Sequence, residues 1–177
     1  MKGLHLLLLF YITTWAAACS TITVNTVYEP GINFARLKTY AWVQRPKDSD
    51  NLQEVITAGR VGYIIEGAVE KELAARGYEK ENRAGVKPGF FVAYRAQVKE
   101  KMEPRAITYS CGESICPQGI DLVKIREGML VLDIIEADSN RVVWRGTAVG
   151  LIGDPSKRQE AIEGAVGRLL QNFPPKQ

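Results

Sequence analysis

Histidine is nearly absent from this chain. The one histidine in 177 residues, His5, lies in the apolar stretch at the N-terminus. That stretch reads as an export signal covering residues 1–18, so the remaining domain, residues 19–177, carries no imidazole. This excludes Ser-His-Asp and Cys-His catalysis, Cys/His zinc sites, histidine-ligated haem and a histidine pH switch from it. Cysteine is almost as scarce, at three residues. Charge of one sign is not in excess, with 23 Lys and Arg against 20 Asp and Glu. No segment forms a polybasic arm, so nucleic acid is not an expected partner. No second long apolar run follows the first. Phosphate-binding glycine loops are missing too: Gly146, Gly150 and Gly153 have the wrong spacing and fit strand ends better. No cofactor or metal is expected.

What is present begins with an address. Lys2 supplies a positive start, residues 4–12 form an apolar run too short to span a bilayer as a helix, and small residues follow. Ala16-Ala17-Ala18-Cys19 resembles the lipobox of a bacterial lipoprotein, with Ala16 where leucine is usual. The resemblance implies that Cys19 takes a diacylglyceryl group and becomes the first residue after cleavage. Two or more acyl chains hold a protein stably on a membrane. Ser20 is not the aspartate that marks inner-membrane retention, so the periplasmic leaflet of the outer membrane is the expected site. The alternative is an ordinary secretory signal cut nearby.

With Cys19 acylated, Cys111 and Cys116 are left as a pair in an oxidising compartment, where a disulfide is expected. So small a ring is worth only about 2 kcal/mol by chain entropy, and its main effect is to fix one loop. A redox-active pair is the alternative, but it lacks the C-x-x-C spacing that lowers a thiol pKa.

Hydrophobic periodicity divides the rest into elements. Ile22, Val24 and Tyr28 alternate with polar residues as a first strand, broken by Pro30-Gly31. A second strand is expected over 38–44, with Tyr40 and Trp42 on one face. Residues 52–77 read as a long helix: Val61, Ile65, Val69 and Leu73 recur every four residues, and Gly77 suits its C-terminal cap. Residues 79–89 read as a loop. Strands are expected over 90–101, 128–135 and 142–149, the last two joined by an Asp138-Ser139-Asn140 turn. Asp154-Pro155 then opens a second helix, whose apolar stripe runs through Ile162, Val166, Leu169, Leu170 and Phe173. This ββαβββα order predicts an α+β domain, with an antiparallel sheet of about five strands and two helices packed on one face.

Residues 102–127 are too long a connection to be structureless. Extended arms on either side of Cys111 and Cys116 predict one long hairpin, its tip closed by the cysteine pair. Symmetric pairing about the cysteines sets Tyr94 opposite Asp133 and puts Asp133 on the apolar face. A one-residue bulge near Pro104 is therefore expected, turning Leu130, Leu132 and Ile134 inward.

The segments Tyr28-Glu29-Pro30, Phe34, Lys38-Thr39-Tyr40-Ala41-Trp42, Leu73-Ala74-Ala75-Arg76-Gly77-Tyr78, Phe91-Val92-Ala93-Tyr94, Glu127-Gly128 with Leu130 to Asp133, Val143-Trp144-Arg145-Gly146 and Phe173-Pro174-Pro175 follow one another in a set order. Their series resembles bacterial lipoproteins of domain of unknown function 4136. The cysteine loop is no part of that pattern. The resemblance implies a cell-envelope lipoprotein and no particular activity.

Few residues suggest chemistry. Asp133 and Glu136 are candidate paired carboxylates for glycoside cleavage, although a strand ending in a turn explains both. Tyr40, Trp42 and Trp144 are candidate pocket residues for a sugar or lipid, although aromatics on alternating strand positions are more often core. Lys99, Lys101 and Arg105 are candidates to meet anionic head groups, although Glu100 and Glu103 interleave with them and a solvated hairpin surface explains the pattern better. The expected function is a membrane-anchored structural or protein-interaction module with no enzymatic activity, meeting an envelope partner through the cysteine tip. The alternative is a small-molecule or lipid carrier with a pocket between helices and sheet.

Overall fold

The computed structural model describes residues 22–43, 52–107, 110–111, 114–115 and 119–175. The strands are β1 Thr23–Tyr28, β2 Thr39–Trp42, β3 Glu79–Lys80, β4 Phe90–Ile107, β5 Ser110–Cys111, β6 Ser114–Ile115, β7 Gly119–Glu136 and β8 Arg141–Leu151. The helices are α1 Leu52–Ala75, between β2 and β3, and α2 Arg158–Leu170, after β8. β5 and β6 pair only with each other, and the other strands form a six-stranded sheet in the order β1-β8-β7-β4-β2-β3.

The sheet is mixed, which corrects the expected antiparallel sheet of about five strands. β4 and β7 pair antiparallel, and so do β7 and β8, which a short turn at 137–140 joins. β2 is followed by α1, which carries the chain across to β4, and so β2 lies parallel to β4. The sixth strand, β3, falls in the segment read as a loop. Its two residues are polar and show no alternation, yet Glu79 N–H donates to Lys38 O at 3.0 Å and Glu81 N–H to Tyr40 O at 2.8 Å.

One face of the sheet is apolar. Tyr40, Phe90, Val92, Leu130, Leu132, Ile134, Trp144 and Ala148 are buried there with Ile65, Val69 and Leu73 of α1 and Val166, Leu169 and Leu170 of α2. The periodic stripes read from the sequence are these contacts. α1 ends as Gly77 predicts: at φ +80° it lets Tyr78 N–H donate to Leu73 O and its own N–H to Ala74 O, with Leu73 and Tyr78 both buried. Ahead of α2, the Asp154 carboxylate accepts from Ser156 N–H at 2.8 Å, capping a 3-10 turn, Pro155–Lys157, that leads into the helix.

Two local features differ from expectation. β4 and β7 pair without interruption from Phe90↔Glu136 to Ile107↔Gly119, so there is no bulge at Pro104, which faces Leu122 in the ladder. Leu130, Leu132 and Ile134 nevertheless point inward, with Tyr94 opposite Leu132. The register changes nearer the tip, where Cys111 faces Ser114 rather than Cys116. The irregularity lies instead between β7 and β8, where Ile134 pairs with Trp144 and Ile135 with Val142. Val143 is the extra residue, and it and Trp144 are both buried. Gly146 is no strand end either. It sits mid-strand under α2, where a Cβ would overlap Leu169 Cδ2.

Candidate functional site

The hairpin is the feature that departs most from a packed domain. Beyond the row Thr23–Val149–Met129–Gln97, β1 has ended and β8 accompanies β7 only to Leu151. The ladder of β4 and β7 continues alone to Ile107↔Gly119. Ten residues past that row at about 3.3 Å each make an arm of about 33 Å. Directly paired residues share a face, so the helix-side face of the arm carries Val98, Glu100, Met102, Pro104 and Ala106 with Ile120, Leu122, Lys124 and Arg126. The other face carries Lys99, Lys101, Glu103 and Arg105 with Asp121, Val123, Ile125 and Glu127. On it Lys101 bridges Glu103 at 3.1 Å and Glu127 at 3.3 Å. These carboxylates raise the Lys101 ammonium above its ordinary value, Glu103 contributing most. The expected disulfide falls outside the described residues, because Cys116 does. The same holds for acylated Cys19. The backbone of Cys111 lies in β5, at the far end of the arm.

The candidate pocket aromatics are packed. Tyr40 is 2% exposed and stacks on Phe90 at 5.7 Å, and Trp144 is 1% exposed and meets Phe173 edge-on at 5.2 Å. Burial, and secondarily the Glu70 carboxylate, push the Tyr40 phenol up to about 12. Trp42 is half-buried, and its indole N–H donates to Glu70 Oε1 of α1 at 2.9 Å. Burial works against a charged Glu70, but Lys80 and the Trp42 N–H outweigh it and hold the carboxyl below its ordinary value. One turn earlier on α1, Glu66 accepts from the Tyr94 hydroxyl at 3.3 Å. This pair of glutamates fastens α1 to the β2–β4 side of the sheet. Its sequence signal was the i, i+4 spacing of two acidic residues on the edge of the apolar stripe.

The candidate carboxylates do not converge. Asp133, 7% exposed, lies on the face away from the helices, where Arg145 binds it through two nitrogens, at 2.5 and 2.9 Å. Arg95 adds a third contact at 3.5 Å. The Asp133 carboxylate raises the Arg145 guanidinium further above its usual range. Glu136 occupies the opposite strand parity and accepts from the Ser139 hydroxyl at 2.7 Å. Asp133 of β7 therefore ties β8 and, more loosely, β4 to its own strand, and its hydrogen bonds among the described residues are to arginines.

An apolar groove of about 200 Å³ opens between the helices and the sheet at the end where the arm departs. Ile22, Val61, Ile65, Leu130, Ile152 and Ile162 line it, with Asp154 and Arg158 also in its wall. None of the three candidate pocket aromatics is among its lining residues. Glycine makes the groove's floor possible. A Cβ on Gly128 would crowd Ile152 at 3.1 Å, and one on Gly150 would crowd Ile22 at 3.2 Å. The paired glycines Gly128↔Gly150 were the sequence signal, and spacing alone did not show that they face each other.

A profile of the Domain of unknown function (DUF4136) family matches residues 24–175, nearly the whole described domain. The chain belongs to the DUF4136 family. A search of curated proteins finds no match to it. Among solved structures, the DUF4136 domain is similar to a PDZ domain protein from Parabacteroides distasonis, with a TM-score of 0.59 at 16% identity. That match covers 89% of this chain and 36% of the other, so the chain spans about a third of that protein's length. The PelC dodecamer from Paraburkholderia phytofirmans aligns at a TM-score of 0.48 and 12% identity, over 89% of this chain and all of PelC. The first likeness is one of fold.

Proposed function

We propose that this DUF4136 protein is an outer-membrane lipoprotein anchored in the periplasmic leaflet through acylated Cys19. It acts there as a non-catalytic interaction module that meets an envelope protein with the tip of its hairpin. The observation that carries the reading is the arm. A domain of this size gains little in core stability from a ladder whose last eight rows past Lys99↔Glu127, about 26 Å, are two-stranded and stand off its sheet. An extension of that kind suits reach and contact. A disulfide between Cys111 and Cys116 would keep its tip ordered, so that little entropy is lost on binding. The saturated Asp133 cluster and the packed aromatics fit a role without turnover. Co-purification from detergent-solubilised envelope tests the partner. A protein retained by the native chain and lost when residues 108–118 are replaced by a short turn supports the reading, and equal retention by both refutes it. Cys19→Ser should move the protein to the soluble fraction, and unchanged membrane association would refute the anchor.

The groove favours a second reading, a carrier for an apolar ligand. A fluorescent fatty-acid analogue should then bind the soluble domain and be displaced by Ile162→Trp. No binding would remove this reading.

A further inference from the structure

We propose that the helix-side face of the β4–β7 arm lies in the head-group region of the bilayer, so that the protein is held by an amphipathic ribbon as well as by its lipid. The inference rests on the anchor at Cys19 and goes beyond it. Two lengths are decisive. Cys19 precedes Thr23 by four residues, which reach at most about 14 Å however they are arranged. The arm passes the row of Thr23 by ten residues, about 33 Å, at the same end of the sheet. A domain tied so closely to the surface cannot hold an arm more than twice the tether's length upright and clear of it. The arm must lie along the surface or enter it.

Its two faces decide which side meets lipid. On the helix side, Val98, Met102, Ile120 and Leu122 are 60, 56, 77 and 59% exposed. Over the outer part of this face, Pro104, Ala106, Ile120 and Leu122 follow one another with no charge among them. Lys124 and Arg126 come next toward the sheet, at the depth where lipid phosphates would lie, with Lys124 also paired to Glu100 at 2.6 Å. The opposite face carries Lys99, Lys101, Glu103, Arg105 and Asp121, with half-buried Val123 and Ile125 among them. A ribbon whose outer part has one uncharged apolar face and one face rich in charge partitions to an interface, not to a hydrocarbon core, because its outer backbone edges still need water or head groups as partners.

The test uses the full acylated chain in phosphatidylethanolamine–phosphatidylglycerol vesicles. A benzophenone-bearing phenylalanine replaces Ile120 or Leu122, or Val142 at the far end of the sheet. Illumination should give phospholipid adducts at positions 120 and 122 and none at 142. Leu122→Asp should abolish the adduct at 120 while the protein stays vesicle-bound by its lipid. An acylated, vesicle-bound chain with no lipid adduct at 120 or 122, or with adducts there only to another protein, would overturn the proposal and leave the anchor standing. A mature N-terminus without acyl mass would overturn the anchor, and the proposal with it.

Discussion

Adding one methyl group at Gly146 should be among the most damaging single changes to this domain. The glycine lies mid-strand in β8, beneath α2. A Cβ there would overlap Leu169 Cδ2 and come within 2.5 Å of Trp144 Cη2. Leu169 and Trp144 are each 1% exposed, so neither has an empty direction in which to retreat. The helix must lift or the ring must leave its rotamer, and overpacking of this kind costs about 1–3 kcal/mol. For a domain of roughly 160 residues that is a fall in melting temperature of about 2–12 °C. Urea unfolding of the Cys19→Ser domain measures it directly, as a lower midpoint with an unchanged slope. The cause is checked by a double-mutant cycle. Leu169→Ala alone should cost about 2–5 kcal/mol, and in its presence Gly146→Ala should become nearly free. A Gly146→Ala midpoint within error of the parent, or strict additivity with Leu169→Ala, would refute the reasoning.

Stability should fall as pH rises from 10 toward 12: the unfolded Tyr40 phenol ionises near 10.0, while the folded one keeps its proton to about 12. Tyr40→Phe should flatten part of that slope in urea midpoints taken across the range, with Tyr78, also raised by burial, keeping the rest; an unchanged slope would contradict the assignment. Arg145→Met should destabilise more than Arg95→Met, since it removes both close contacts to Asp133. Arg145 is 46% exposed, so solvent screening keeps its expected cost to about 1 kcal/mol rather than the several of a buried pair. Replacing both Cys111 and Cys116 with Ser should lower the unfolding free energy from urea titration by no more than about 2 kcal/mol while weakening retention of an envelope partner. Reduced thiols at both positions in exported protein would end the staple.

The elements built on local signals were legible in the sequence. α1 and α2 follow from their apolar spacing and caps, β4 from strict alternation, and β8 from an apolar run after the turn at 138–140. Gly77 in its left-handed turn and Asp154 accepting from Ser156 are conformations that few other residues adopt so readily. What escaped depends on which strand meets which. Nothing in 39–42 distinguishes a strand about to pair parallel across a helix from one about to form a hairpin. Two polar residues at 79–80 carry no alternation at all. The hairpin register was inferred from the cysteines, but the ladder is set by burying Leu130, Leu132 and Ile134, and one residue of slip is absorbed near the tip. The bulge at Val143 was invisible because its neighbours, Val142 and Trp144, suit a strand equally well. The groove was missed for a related reason: its wall joins Ile22 to residues of α1, β4, β7, β8 and α2, and the run from Ala148 to Ala165 that supplies about half of it does not show that the other segments close over it.

The placement of β1 also decides how the domain answers a pull. A pull applied at Ile22 along the strand's own axis loads the first residues of an edge strand. β1 is held by six register pairs to β8, from Thr23↔Val149 to Tyr28↔Trp144, whose hydrogen bonds run across that axis. An axial tug therefore strains the whole ladder together in shear, and no single bond has to fail first. A sideways tug at the same residue would open the pairs in sequence, like a zipper. The edge strand is thus a clasp, strong along its axis and weak across it.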